Sequence, residues 1–311
     1  MNLVVFDSTE LVAVARALRA IAETNQSFTD GEADFIEAIA SMHGIALDPR
    51  ALDPIEPEDL ARSVVDPFKR KRALQLLTVM SLVEGEATLD AERALRRFAA
   101  ALELDEKGLD VVREVAKEQL LLARFDMVQR MRKTLFRDRT LETLRSFATA
   151  AIFGEDKATA EKYRALATYP EGSLGRVLHD SWREHGFAIP GEKGGLPERG
   201  IFHDVGHVLS GYGVDPYGEI RQGAFQAGFV REDGFAFFLF VVLQFHVGVR
   251  ITPVAKGEKG YFDPKDVLRA VERGAACKVD LSDPKAFDFW SVANVPVEEL
   301  RTRYGIPPLE A

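Results

Sequence analysis

Between Arg199 and Phe229 the chain reads RGIFHDVGHVLSGYGVDPYGEIRQGAFQAGF, and this stretch limits the fold more than any other. Its middle, Gly211 to Gly218, must stop a helix and turn the chain, because glycine admits the left-handed backbone and proline cannot continue a helix. The expected outcome is a helix carrying His203, Asp204 and His207, a turn, and an antiparallel helix with Glu219 in its first turn. At about 100° per residue His203 and His207 lie about 40° apart and Asp204 about 100° from His203, so all three share one face. Two imidazoles and one or two carboxylates suit a divalent ion, zinc first, with iron or manganese as alternatives and an open position if the site is catalytic. Histidines four apart are commonly an exposed or core pair. Here four candidate donors fall within 17 positions of a chain with six histidines, which favours a metal site.

At 311 residues the chain exceeds the usual single-domain size, and 46% hydrophobic residues suffice for ordinary cores. The net charge of -9 is spread over both halves, so no basic face marks a nucleic-acid binder. A single cysteine, Cys277, excludes an internal disulfide framework and a cysteine-based zinc cluster. The opening MNLVVFDSTE lacks the basic region and apolar length of a signal peptide, and no stretch is long enough to span a bilayer. The cytoplasm is the expected compartment.

Helical spacing dominates from the start. Residues 8 to 23 and 29 to 43 carry apolar stripes, the second after Thr29-Asp30-Gly31-Glu32, which has the form of a capping box. Residues 44 to 66 hold three prolines, with a fourth at Pro67, and read as a connection with short helical turns. Helices are expected at 68–83, 89–102 and, as one or two, 109–152. A 60-residue shift superposes Asp30-Gly31-Glu32 on Asp90-Ala91-Glu92, a weak internal repeat. The basic run Arg130, Arg132, Lys133, Arg137 and Arg139 reads as a solvated face, with the acidic Asp53 to Asp59 segment or a phosphate as other partners. A boundary is expected near Phe153–Asp156, giving domains 1–150 and 151–311. Further on, Gly234 to Val249 is the most apolar stretch of the chain; a buried helix is expected, or else one wall of a pocket for a long apolar ligand. The fold class expected is all-α, in two helical domains.

Two resemblances follow from these residues. Residues 5 to 145, through their acidic turns, loosely resemble the tellurite-resistance TerB-like helical domain, although Glu84 stands where an aspartate is expected. That resemblance implies a divalent-cation site at Glu84, Glu86, Asp90 and Glu92; as residues, these acids suit helix N-termini and stay solvated. More closely, His203, Asp204, His207 and Glu219 match His-Asp-x-x-His, eleven residues, Glu. With the Pro170–Gly175 turn, the Gly218-Glu219 pair and the terminal Pro-Val-Glu-Glu-Leu-Arg at 296–301, residues 160 to 308 resemble the ubiquinone (coenzyme Q) biosynthesis protein four family. The resemblance implies an all-helical domain, an ion at the four motif residues, and an apolar groove for a polyprenyl chain, here assigned to Phe225, Phe229, Phe235 and Phe238. Gln226 departs from the glutamate usual there.

Three functions are weighed on this basis. In the first, the four motif residues hold a metal and take part in chemistry on a prenylated quinone precursor, such as loss of the ring C1 carboxyl group. The second is a non-catalytic isoprenoid-binding scaffold that presents the lipid to other biosynthetic enzymes, with peripheral membrane contact and a homodimer as further associations. The third is a His-Asp type phosphohydrolase using His179, His203-Asp204 and Asp263 or Asp266, which leaves Glu219 without a role.

Overall fold

The computed structural model describes residues 1–25, 27–135, 155–252 and 255–309, and the described residues form fifteen α-helices and no sheet. The expected all-α class holds. The first seven are α1 (Ser8–Ala22), α2 (Asp30–Met42), α3 (Pro57–Ser63), α4 (Pro67–Met80), α5 (Leu89–Ala101), α6 (Gly108–Ala116) and α7 (Leu120–Leu135). After residue 154 come α8 (Lys157–Arg164), α9 (Leu174–His185), α10 (Ile201–Ser210), α11 (Pro216–Phe229), α12 (Gly234–Phe245), α13 (Pro264–Ala276), α14 (Phe289–Val292) and α15 (Val297–Tyr304). The boundary expected at 153–156 and the basic residues Arg137 and Arg139 fall wholly or partly outside the described residues.

Local chemistry sets the helix starts. Thr29 Oγ1 accepts from Glu32 N at 3.1 Å while Thr29 N donates to Glu32 Oε2 at 2.9 Å, the capping box read from the sequence. Asp7 and Glu10 form a second box at α1, and Thr88 caps α5. The residues of 1–150 and of 151–311 then meet along α2, α4 and α7 on one side and α12 and α13 on the other. His246 Nε2 lies 2.7 Å from the Val83 carbonyl, Lys265 pairs with Asp34 and Glu37 at 2.9 Å, and Phe35 packs on Phe262.

α12 sits at the centre. It packs against α11, α7 and α4, so every face needs an apolar side chain, and eleven of its twelve residues are buried. This accounts for the lack of a stripe in GFAFFLFVVLQF: the helix has no solvent side. Burying each phenylalanine contributes about 1.5–3 kcal/mol, so α12 is a main source of cohesion. α11 in turn crosses α13 with no side chain between them. A Cβ on Gly274 would lie 1.9 Å from the Phe225 carbonyl oxygen, and one on Gly228 would lie 2.3 Å from that of Val271.

The start of α12 is fixed by charge. Asp233 adopts a left-handed backbone, φ 40°, and receives two hydrogen bonds from Arg130 of α7 at 2.8 and 2.9 Å. Arg130 also pairs with Glu106 at 2.9 Å, so this part of the expected basic run is spent on a largely buried bridge, with 11% of the Arg130 side chain exposed. Arg130→Ala leaves Glu106 buried without its partner and is expected to cost about 3 kcal/mol. Urea denaturation monitored by circular dichroism checks this.

Candidate metal centre

α10 and α11 are the antiparallel pair that the sequence predicts. Gly211, with φ 80°, ends α10 and its N–H donates to the His207 carbonyl at 2.9 Å. Asp215 caps α11, accepting from Tyr217 N at 2.9 Å and Gly218 N at 3.0 Å. Gly218 is required by proximity, since a Cβ there would lie 2.0 Å from the Gly213 carbonyl oxygen. The turn thus folds tightly onto the first turn of α11 and brings Glu219 back over α10.

Three of the four predicted donors converge. His203 Nε2 and His207 Nε2 are 3.3 Å apart, and Glu219 reaches the first through Oε2 at 3.4 Å and the second through Oε1 at 3.5 Å. Among the described residues this is the only group of three or more histidine, cysteine, aspartate or glutamate side chains close enough to hold one ion. Zinc bound at about 2.0–2.1 Å in a tetrahedron sets its donors about 3.3–3.4 Å apart, so the donor spacing suits an ion of that size. The cluster is open on one side: His207 is 8% exposed, Glu219 21% and His203 29% by side chain.

The histidine tautomers agree with that use. His207 Nδ1 lies 3.1 Å from the Tyr212 carbonyl, which can only accept, so the proton sits on Nδ1 and the Nε2 lone pair faces the cluster. His203 Nδ1 is 3.1 Å from Gln226 Oε1, which favours the same tautomer. Gln222 adds a third support: its Nε2 donates to the His203 carbonyl at 3.3 Å and its Oε1 accepts from Ser210 Oγ at 2.9 Å. It lies so close to Gly206 that a Cβ there would be 2.0 Å from its Nε2. Asp204 points elsewhere. Its Oδ2 accepts from Trp182 Nε1 at 2.8 Å, tying α10 to α9, and it is absent from the converging set.

Two arginines hold the end of α10. Arg301 donates to the Leu209 carbonyl at 3.0 Å and the Val208 carbonyl at 2.9 Å, and Arg273 donates to the Ser210 carbonyl at 3.0 Å. Arg273 and Arg221 also lie over the Tyr212 ring, at 5.0 and 5.2 Å, and so fix the residue whose carbonyl orients His207. Arg301 arrives because the turn at Gly172–Gly175 docks on 293–297: Val297 N donates to the Gly172 carbonyl at 3.0 Å, Leu174 N to Val295 at 2.9 Å and Gly175 N to Ala293 at 2.8 Å.

The electrostatics follow from this enclosure. Burial by itself lowers the His203 pKa, but hydrogen bonding and charge from Glu219 outweigh it and push the value up to about 9. Burial raises Glu219, yet its bonds to His203 and His207 hold it down at about 2. Burial pushes Asp204 up. In the ion-free protein the His203–Glu219 pair therefore contributes stability between these limits. The His203 part is complete below its ordinary 6.5 and is lost as pH rises through about 9. The Glu219 part is present above its ordinary 4.5 and is lost as pH falls towards about 2.

Other expected sites are differently arranged. Phe225, Phe229, Phe235 and Phe238 are at most 1% exposed and sit in the packed core around α11 and α12, with Phe235 also bordering a small cavity beside α4. Glu84 accepts from Thr29 Oγ1 at 2.6 Å, Asp90 pairs with Arg93 and Glu92 with Arg96, and these acids form no ion-sized cluster with Glu86. For the phosphohydrolase arrangement, His179 lies beside Asp180 at 3.1 Å, Asp263 caps α13 and Asp266 accepts from Tyr217 Oη, so no His-Asp set gathers. Gln222 and Gln226 were the supports not singled out as such. The signal was their spacing: with Glu219 they stand at i, i+3 and i+7, on one face of α11.

No protein-family profile matches the chain, and no curated protein matches it. Among solved structures, one similar chain is a protein of Nostoc punctiforme provisionally named for ubiquinone biosynthesis. The two are 16% identical, with a TM-score of 0.34, over 78% of this chain and 99% of that one. The TerB-like resemblance finds no counterpart among these comparisons. The reading of the centre rests on its own geometry.

Two outcomes are expected. Gln226→Leu frees the His203 ring and lowers divalent-ion affinity about tenfold, measured by competition with a chromophoric chelator. Because an ion must displace the proton that His203 keeps up to about pH 9, apparent affinity rises about tenfold per pH unit between pH 6 and 8 and levels off above 9. Calorimetry in buffers of different ionisation enthalpy then reads about one proton released per ion.

Proposed function

We propose that the chain is a metal-dependent protein of the ubiquinone-biosynthesis type, which holds a divalent ion through His203, His207 and Glu219 and acts on, or presents, a prenylated quinone precursor. The observation that carries the metal half is the meeting of two Nε2 lone pairs and one carboxylate at 3.3–3.5 Å. The substrate half draws on the resemblance of the motif and of the segments that assemble around it. Zinc is the ion favoured by the donor set, with iron or manganese next.

When bound, the ion would supply Lewis acidity towards a phenol or carboxylate oxygen at the open side of the cluster. The chain's own contribution is positioning. Tyr212 and Gln226 hold the two rings, Glu219 balances charge, and Trp182 with Asp204 holds the first helix in place. In the C1 decarboxylation reading, the carboxyl group of the ring would approach from the side where His203 and Glu219 are exposed.

A scaffold role is the second reading, and the linkage of α10 to α11 through the cluster favours it. An ion there would tie these helices together whether or not chemistry follows. Elemental analysis of protein purified without a metal-affinity tag, beside His207→Ala, tests the shared part of both readings. The expected result is about one equivalent of ion in the native protein and little in the variant; no metal in either removes the metal chemistry and leaves lipid presentation without an ion. Incubation of the loaded protein with a prenylated hydroxybenzoate, followed by mass spectrometry, then separates them. A product lacking the carboxyl group supports chemistry, and unchanged lipid retained on the protein supports presentation.

A further inference from the structure

A cavity of about 150 Å³ lies where α4 meets the start of α12, and it shares no residue with the histidine cluster. Phe68, Lys71 and Arg72 of α4 form one side; Arg231, Gly234 and Phe235 form the other. Arg72 is its unusual member. Only 8% of it is exposed, its Nη1 donates to Gln75 Oε1 at 2.6 Å, and its buried Nε has no partner. Burial lowers its pKa to about 10, and no acid counters that effect.

A buried guanidinium with no carboxylate beside it is costly, and an oxyanion held in the cavity that Arg72 lines would offset that cost by charge. The surroundings suit such a guest. Lys71 is exposed at the rim, and Arg231 adds a second guanidinium, anchored on the Cys277 carbonyl. The one carboxylate in the lining, Asp233, is already engaged by Arg130 through two hydrogen bonds at 2.8 and 2.9 Å. Phe68, 56% exposed, lies 5.4 Å from the Arg72 guanidinium and, with Phe235, gives the cavity an apolar wall.

We propose that this cavity binds a small anion, its phosphate or carboxylate head group received by Arg72 between Lys71 and Arg231 and its short apolar body resting against Phe68 and Phe235. The volume, well under the roughly 300–1,000 Å³ of pockets for larger organic ligands, suits a head group with a short body and not a long chain.

Calorimetric titration of the full chain with inorganic phosphate and with benzoate, at ionic strength held constant with chloride, tests the assignment. Saturable one-to-one binding of at least one probe is expected, with a millimolar or lower Kd. It should weaken about tenfold in Arg72→Gln and about threefold in Lys71→Ala. Lys71 is exposed, so its variant keeps the test open if Arg72→Gln does not fold. Equal binding before and after chelator treatment separates this cavity from the metal centre. Tighter binding of benzoate assigns a carboxylate on an apolar body, and tighter binding of phosphate assigns a phosphate group. Failure of both probes to bind at millimolar concentration, or binding that neither variant weakens, overturns the proposal.

Discussion

The close approach of α11 to its neighbours is the constraint on which the rest of the structure depends. One face of this helix carries Glu219, Gln222 and Gln226 towards α10. Its closest approaches to α12 and α13 are at glycines: a Cβ on Gly223 would lie 2.0 Å from Val241 Cγ1 of α12, and one on Gly228 would lie 2.3 Å from the Val271 carbonyl oxygen of α13. Small residues here set the depth at which α11 sits, and that depth sets the reach of the Glu219 carboxylate. A helix displaced outward by a methyl group would still be a helix, but its carboxylate would no longer meet both imidazoles.

Around that helix the polar side chains orient one another in series. Arg273 and Arg221 flank Tyr212, the Tyr212 carbonyl orients His207, and Gln226 orients His203. Each link fixes a tautomer or a ring plane, so both Nε2 atoms face the same point as the carboxylate. Without an ion, a proton on His203 balances Glu219, which is why the two pKa values move in opposite directions. Proton and metal thus compete for one set of lone pairs.

Several sequence motifs acquire a physical reason in the fold. The Pro170–Gly175 turn and the Pro296–Arg301 segment, far apart in the chain, are joined by backbone hydrogen bonds, and the result delivers Arg301 to the carbonyl end of α10. The Gly218-Glu219 pair belongs together because only glycine lets the turn close against the helix that carries the ligand. Asp204 shows the reverse. Its place on the ligand face was legible, yet a neighbouring indole N–H captures it, and no periodicity reports the position of Trp182.

The sequence by itself determined the helices, their caps and the pairing of His203, His207 and Glu219. These depend on spacing within about 17 residues, and the 3.6-residue period with one glycine- and proline-rich turn is enough to define them. It also marked α12 as fully apolar. Only the tertiary structure decided what that apolarity is for. Phe225, Phe229, Phe235 and Phe238, expected as buried helix or else as the wall of a groove, are at most 1% exposed, because α11 packs on α12 and α13 while α4 and α7 close over α12. Likewise, the meeting of Arg72 with Arg231 across a cavity joins residues separated by more than half the chain, which no local pattern records. Periodicity reports which face of a helix is apolar, whereas what covers that face depends on contacts between distant segments.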